Sequence, residues 1–420
     1  MIWDRTKRIR AVRAHIGKTG LDLIAGSEVV LKPPRSSPPE GHTLIVLPAS
    51  LGLDFLEHQD EIPDWVWEPA RTGAGRLVID ASLEGYPHDI KRSHRLHRFL
   101  ARTGIPRANA VYLTQDRGYR DAYHHVFAAE GTMRVLVHDY WIRAVVDEHA
   151  HDGLEVFEQR LEAYRARRRD RERRFLSLNR SLRASKTLFL LSLLREGLWD
   201  LGFVSTGGLE KVREVKGFSE DELEAELFRD AAFAELNGEL RGLLPRLEAL
   251  GRIQFEPPGA AESDPAMDQP LAEYGRSWFS VVTETEMCDR VLRITEKPLK
   301  PLMNFHPFIV LGNPGSLGLL RDYGFRSFPE MFDESYDDEP DPRRRFDLVF
   351  RDLQRLCALG ESELDRLDRA VEEAVVHNAR RALVELPRLF REELGPALIE
   401  EILAPPETFS PQSNLIAELA

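Results

Sequence analysis

The chain has 420 residues and a formal net charge of −13, with 57 Lys and Arg against 70 Asp and Glu. That acidity argues against a general nucleic-acid binder. A content of 42% hydrophobic and 30% charged residues is that of a globular protein.

The length exceeds one ordinary core, so two domains and an appendage are expected. Only Cys288 and Cys357 occur, which implies no disulfide framework and fits a reducing cytoplasmic compartment. Residues 1–13 are basic without an apolar core segment, unlike a secretory signal. No run approaches eighteen apolar residues, so no transmembrane segment is expected.

Residues 1–40 are ambiguous, with a hairpin around Gly26 as one reading of 21–31. A repeating pattern then begins. Apolar strands are expected at 43–47, 76–79, 110–113 and 133–137, each ending in polar residues. Helical stretches at 90–103 and 119–130 separate the later ones. Strands alternating with helices at this spacing predict a parallel sheet with crossover helices. Ligands bind at the carboxyl ends of such strands. Carboxylates there are Glu84, Asp116 and Asp139.

Residues 154–174 read as a long, charge-dense, solvated helix joining two domains. A second set opens with a strand at 175–178 and the turn Asn179-Arg180-Ser181-Leu182-Arg183, followed by a helix. Arg180 and Arg183 at a strand's carboxyl end suit a bidentate contact with a diphosphate. Residues 217–250 are acidic and helical, and 252–267 read as a loop. Residues 343–403 are helical, with Leu348, Phe350, Leu353, Leu356 and Leu359 as one apolar face. That face suits bracing of the first domain or self-association as a homodimer.

The most informative stretch is 278–328. It reads as a strand, an acidic loop, a helix capped by Thr295, a second strand, a Gly/Pro turn and a helix. Glu296 and Lys297 stand side by side at the helix start. A Glu there can accept both ribose hydroxyls, and a Lys with the helix N-terminus favours a diphosphate.

The run Thr283-Glu284 … Ile294-Thr295-Glu296-Lys297 … Pro307-Phe308-Ile309-Val310-Leu311-Gly312 resembles the donor-site signature of the fucosyltransferases of glycosyltransferase family 10. Their pattern is a strand ending in E-N, an acidic gap, Y-x-T-E-K, a helix and P-V-x-x-G. Here Thr283-Glu284 replaces E-N, Ile294 replaces the aromatic residue, and Pro307-Phe308 stands for P-V. With these departures the chain looks like a relative of that family, or of the bacterial and viral glycosyltransferases built like it, rather than a standard member.

The resemblance implies an α/β fold of GT-B architecture, with two Rossmann-like domains facing each other and a helical C-terminal extension. Residues 1–160 would bind the acceptor, 172–335 the sugar nucleotide, and 343–420 form the extension. It implies a glycosyltransferase moving a sugar, such as fucose from a GDP-sugar, to a glycan, lipid-linked or protein hydroxyl. Transfer would be metal-independent and inverting, with no cofactor beyond the donor. Glu284, Thr295, Glu296, Lys297, Arg180 and Arg183 would hold the donor. Glu84, with Asp116 and Asp139 behind it, would supply the base. The acidic run 333–339 follows a helix rather than a strand, so no metal site is expected there. A non-catalytic sugar-nucleotide or protein-binding scaffold with a helical docking module is the rival reading.

Overall fold

Continuous apolar runs build two parallel sheets, as buried parallel strands require. The computed structural model describes residues 9–13, 29–30, 42–49, 53, 56, 64–143, 152–167, 171–255, 272–288 and 291–405. Most of the expected 21–31 hairpin and residues 256–267 of the expected loop lie outside these.

The chain forms two compact units. The first comprises residues 1–147, 290–294 and 386–420; the second comprises 148–289 and 295–385. The strands are β1 Ile9–Arg13, β2 Val29–Val30, β3 His42–Pro48, β4 Gly75–Asp80, β5 Ala110–Thr114, β6 Arg134–Val137, β7 Arg173–Ser177, β8 Gly202–Val204, β9 Ser277–Thr283 and β10 Phe308–Leu311. The framing helices are α1 Glu68–Thr72, α2 Ile90–Thr103, α3 Tyr119–Phe127, α4 Gly153–Arg167, α5 Ala184–Arg195, α6 Glu296–Met303, α7 Ser316–Asp322, α8 Pro342–Ala358 and α9 Gly395–Leu403. Among the described residues no helix is long and apolar enough to cross a membrane.

In the first unit six strands run parallel in the order β2-β1-β3-β4-β5-β6. One face packs against α1, α2 and α3 through Ala70, Phe99, Tyr123 and Phe127, with Trp67 just before α1. The other face, formed by Leu44, Val46, Val78, Val111, Leu113 and Leu136, is covered by Leu398, Ile399 and Ile402 of α9. Residues 386–420 thus belong with the first sheet, whereas 343–385 belong to the second unit.

In the second unit four parallel strands run β10-β9-β7-β8. Successive strands depart to opposite sides of the β7/β9 pair, which makes that pair a topological switch point. Helix α5 is buried along its whole length from Ala184 to Leu194. A helix that is apolar nearly all round belongs in an interior.

Several expectations change here. Within the span expected as one 154–174 helix, the helix is described over Gly153–Arg167 and a strand begins at Arg173. Arg171 between them is not solvated. It points inward, donating to the carbonyls of Tyr274 at 2.9 Å and Ser277 at 2.5 Å and pairing with Asp368 at 3.6 Å. On α8 the buried stripe is Phe346, Val349, Phe350, Leu353, Leu356 and Cys357. Leu348 and Leu359 lie off it. Leu353 and Leu356 are fully buried within their own unit, so the self-association face built on them is not available.

His306 shows how this core depends on pH. It is buried, accepts from or donates to Ser280 Oγ at 2.7 Å, and lies 2.9 Å from the Ser277 carbonyl. Burial, with Arg171 nearby, lowers its pKa to about 3. The unfolded chain binds this proton below about 6.5 while the fold refuses it. Stability is therefore lost as pH falls from about 6.5 to about 3, by up to about 1.4 kcal/mol per pH unit. Urea unfolding between pH 7 and pH 4 should show that slope on top of the one buried His97 adds, and His306→Gln should reduce it. An unchanged slope in the variant would mean His306 does not carry the effect.

Candidate functional site

Open parallel sheets bind ligands outside the carboxyl ends of the strands at a switch point. In the second unit that place is the end of β7 and β9. Asn179, fully buried just beyond β7, ties the two strands together. Its side-chain oxygen accepts from Thr283 Oγ1 at 2.6 Å, and its amide nitrogen donates to Ser177 Oγ at 3.1 Å. Ser177 Oγ in turn donates to the Val281 carbonyl at 3.0 Å. The Asn179 carbonyl accepts from Gly207 N at 3.0 Å. A Cβ on Gly207 would stand 1.8 Å from the Arg180 carbonyl, so only glycine allows the two turns to touch.

Glu284 follows β9 directly. Its carboxylate accepts from Thr295 Oγ1 at 2.6 Å and lies 3.5 Å from Lys297 Nζ. Thr295 caps α6, accepting from Lys297 N at 3.3 Å. Glu296 lies 3.2 Å from the same ammonium. The structure thus brings together four residues expected in one site: Glu284, Thr295, Glu296 and Lys297. Burial pushes the Glu296 carboxyl upward, but Lys297 and Lys300 outweigh it and leave the pKa below its ordinary value. Glu296 is therefore an ionised acceptor at neutral pH. Gly312 gives this cluster room, because a Cβ there would meet Glu284 Cγ at 2.9 Å.

The expected arginines divide. Arg180 keeps Nη1 buried without a hydrogen-bond partner among the described residues. Arg183 is half exposed, 3.7 Å from Glu286, which also pairs with Arg229 at 2.9 Å.

Sequence reasoning missed Lys186. It stands in the first turn of α5, is 5% exposed, and makes no ion pair among the described residues. Burial, then Lys297, lowers its pKa to about 7, against the pull of Glu296 and Glu284. The available signal was a single cation in the otherwise apolar and small-residue run 184–194. Ser185 beside it donates to the Thr285 carbonyl at 3.0 Å, which joins α5 to the end of β9.

The acidic run 333–339 performs local work. The Asp337 carboxylate accepts from Leu317 N at 3.1 Å and Gly318 N at 3.3 Å, closing the N-terminus of α7. Asp333 accepts from Ser335 N at 3.1 Å and Glu334 from Phe328 N at 2.6 Å. Of the helices α5, α6 and α7, only α5 starts without a side-chain cap or a carboxylate closing it.

The three candidate bases lie in the first unit. Asp139, 2% exposed, is clamped by Arg117 through both oxygens at 2.5 Å. Asp116 is buried and accepts from Gly118 N at 3.1 Å and Leu292 N at 3.2 Å. Burial raises its pKa, only partly offset by those bonds. Glu84, half-buried after β4, has no hydrogen bond or ion pair among the described residues. These three sit at the ends of β4, β5 and β6. The switch point of their sheet lies between β1 and β3.

No family model and no curated protein matches the chain. Among solved structures it is similar to the N-terminal domain of Candida albicans trehalose-6-phosphate phosphatase, at 12% identity and a TM-score of 0.36, over 88% of this chain and 72% of that one.

Proposed function

We propose that the protein is a cytoplasmic, metal-independent, inverting glycosyltransferase of GT-B type that takes its sugar from a nucleoside diphosphate donor. The observation that carries the reading is the Glu284–Thr295–Glu296–Lys297 cluster beside the β7/β9 switch point. Glu296 receives the ribose hydroxyls. Lys297, Arg180 and Arg183 receive the diphosphate. In the reaction the acceptor hydroxyl gives its proton to a base and attacks the anomeric carbon. The bond from that carbon to the diphosphate oxygen breaks, and the nucleoside diphosphate departs with the electron pair. Positive groups fixed where that charge develops supply the main stabilisation. Glu84 is the base of choice among the three carboxylates, since the other two already hold backbone or an arginine.

Calorimetric titration with UDP-, GDP- and dTDP-sugars in EDTA tests the reading. One of them should bind, and Glu296→Ala and Lys297→Ala should each weaken it by about 1.5–3 kcal/mol. Unchanged affinity in both variants would remove the cluster from the donor site. Transfer that stops in EDTA and returns with Mg²⁺ would overturn metal independence. Donor binding with neither hydrolysis nor transfer would favour a scaffold.

A further inference from the structure

We propose that Lys186 and the uncapped first turn of α5 form a second, buried anion subsite, which takes the diphosphate of the donor opposite Lys297. The inference rests on the donor reading above and adds a residue which that reading does not contain.

Two independent observations meet here. Helix α5 is twelve residues long and begins at Ala184, and neither Arg183 before it nor any other side chain caps its N-terminus. The neighbouring α6 and α7 are capped by Thr295 and Asp337. The first-turn N–H groups of such a helix attract an anion. Within that turn lies Lys186, more than nine-tenths buried and without an ion pair among the described residues. Burying a lone ammonium is costly unless a ligand rewards it. Its charged surroundings are Arg183 on its own helix, Lys297 and Glu296 on α6, and Glu284 after β9. The two carboxylates already face Lys297 at 3.5 Å and 3.2 Å, so Lys186 is the cation left over for an incoming anion. An arriving diphosphate would bring the charge that holds the ammonium.

This subsite also makes donor binding sensitive to pH. Because burial and Lys297 lower the Lys186 pKa to about 7, part of the population carries no charge at neutral pH. A diphosphate would draw a proton onto it, so affinity should fall as pH rises above 7.

The test uses the full chain and calorimetric titration with inorganic pyrophosphate, UDP, GDP and dTDP. Lys186→Met keeps the aliphatic stem and removes the charge. It should melt no lower than the wild type and bind the tightest of these ligands between about tenfold and a hundredfold more weakly. Wild-type affinity should drop by about tenfold per pH unit between pH 8 and pH 9, and the variant should lose that dependence. Lys186→Gln serves as the second variant. Nucleoside diphosphate binding that is unchanged by Lys186→Met sinks the subsite and leaves the donor reading standing. Pyrophosphate binding lost in the variant, with no gain from any nucleoside, keeps the subsite and sinks the donor reading. Absence of binding by all four ligands to the wild type overturns both.

Discussion

Removing residues 386–420 should abolish stable folding of the first unit. Leu398, Ile399 and Ile402 cover one whole face of the first sheet, against Leu44, Val46, Val78, Val111, Leu113 and Leu136. Three such side chains at about 1.5–3 kcal/mol each supply about 5–9 kcal/mol. That is comparable to the entire stability of an ordinary domain, about 5–15 kcal/mol. Polar anchoring reinforces the packing. Arg76 donates to the Ala404 carbonyl at 3.2 Å, and Arg134 donates to Pro405 O at 3.0 Å and to Glu401 O. These arginines satisfy carbonyls that every helix C-terminus leaves open. The truncated chain should bind a hydrophobic dye, precipitate on concentration, and lose protection from hydrogen exchange in β3 to β6. A truncated chain that stays monodisperse with those strands protected would show that α9 is dispensable.

The second large effect is expected from Arg345→Met. This arginine of α8 is 2% exposed, yet it carries a guanidinium into the second unit's core. It donates to the Gly312 carbonyl at 2.8 Å, the Glu339 carbonyl at 2.6 Å and the Met287 carbonyl. Gly312 packs closely against Glu284, and Met287 follows it by three residues, so one side chain ties together the backbone on either side of the candidate site. Methionine fills much of the volume but leaves two buried acceptors and one part-buried acceptor bare. Charge-assisted bonds of this kind and the cost of orphaned carbonyls give a loss on the order of 3 kcal/mol. Lysine should not rescue it, because one ammonium cannot reach three diverging carbonyls as a planar fork does. Donor affinity should fall along with stability, since Glu284 would lose its fixed backing. A urea midpoint within the error of the wild type, for both substitutions, would mean the guanidinium contributes nothing net.

The same contrast between apolar runs and polar contacts decides what could be read in advance. β4, β5, β6, β9 and β10 were legible because a strand buried on both faces must be a continuous apolar run. The sequence by itself therefore determined an α/β fold with two sets of parallel strands. It also determined that Glu296 and Lys297 start a helix capped by Thr295, because capping is a contact between near neighbours.

Whatever depends on distant partners was decided only by the tertiary structure. β8 spans three residues, too few for a pattern. The order β10-β9-β7-β8, which creates a switch point beside Asn179, is a matter of pairing across a hundred residues. Asp116 and Asp139 looked like bases by their place at strand ends, but that place did not show their bonds with Leu292 and Arg117. Lys186 looked like one residue of an ordinary helix until burial removed its water. Leu353 and Leu356 carried the periodicity of a helix face, but periodicity does not say what covers that face. Backbone propensity and local caps act within a few residues and are written in order along the chain. Burial, charge pairing and sheet order are set by the folded neighbours, and those emerge only when the chain closes on itself.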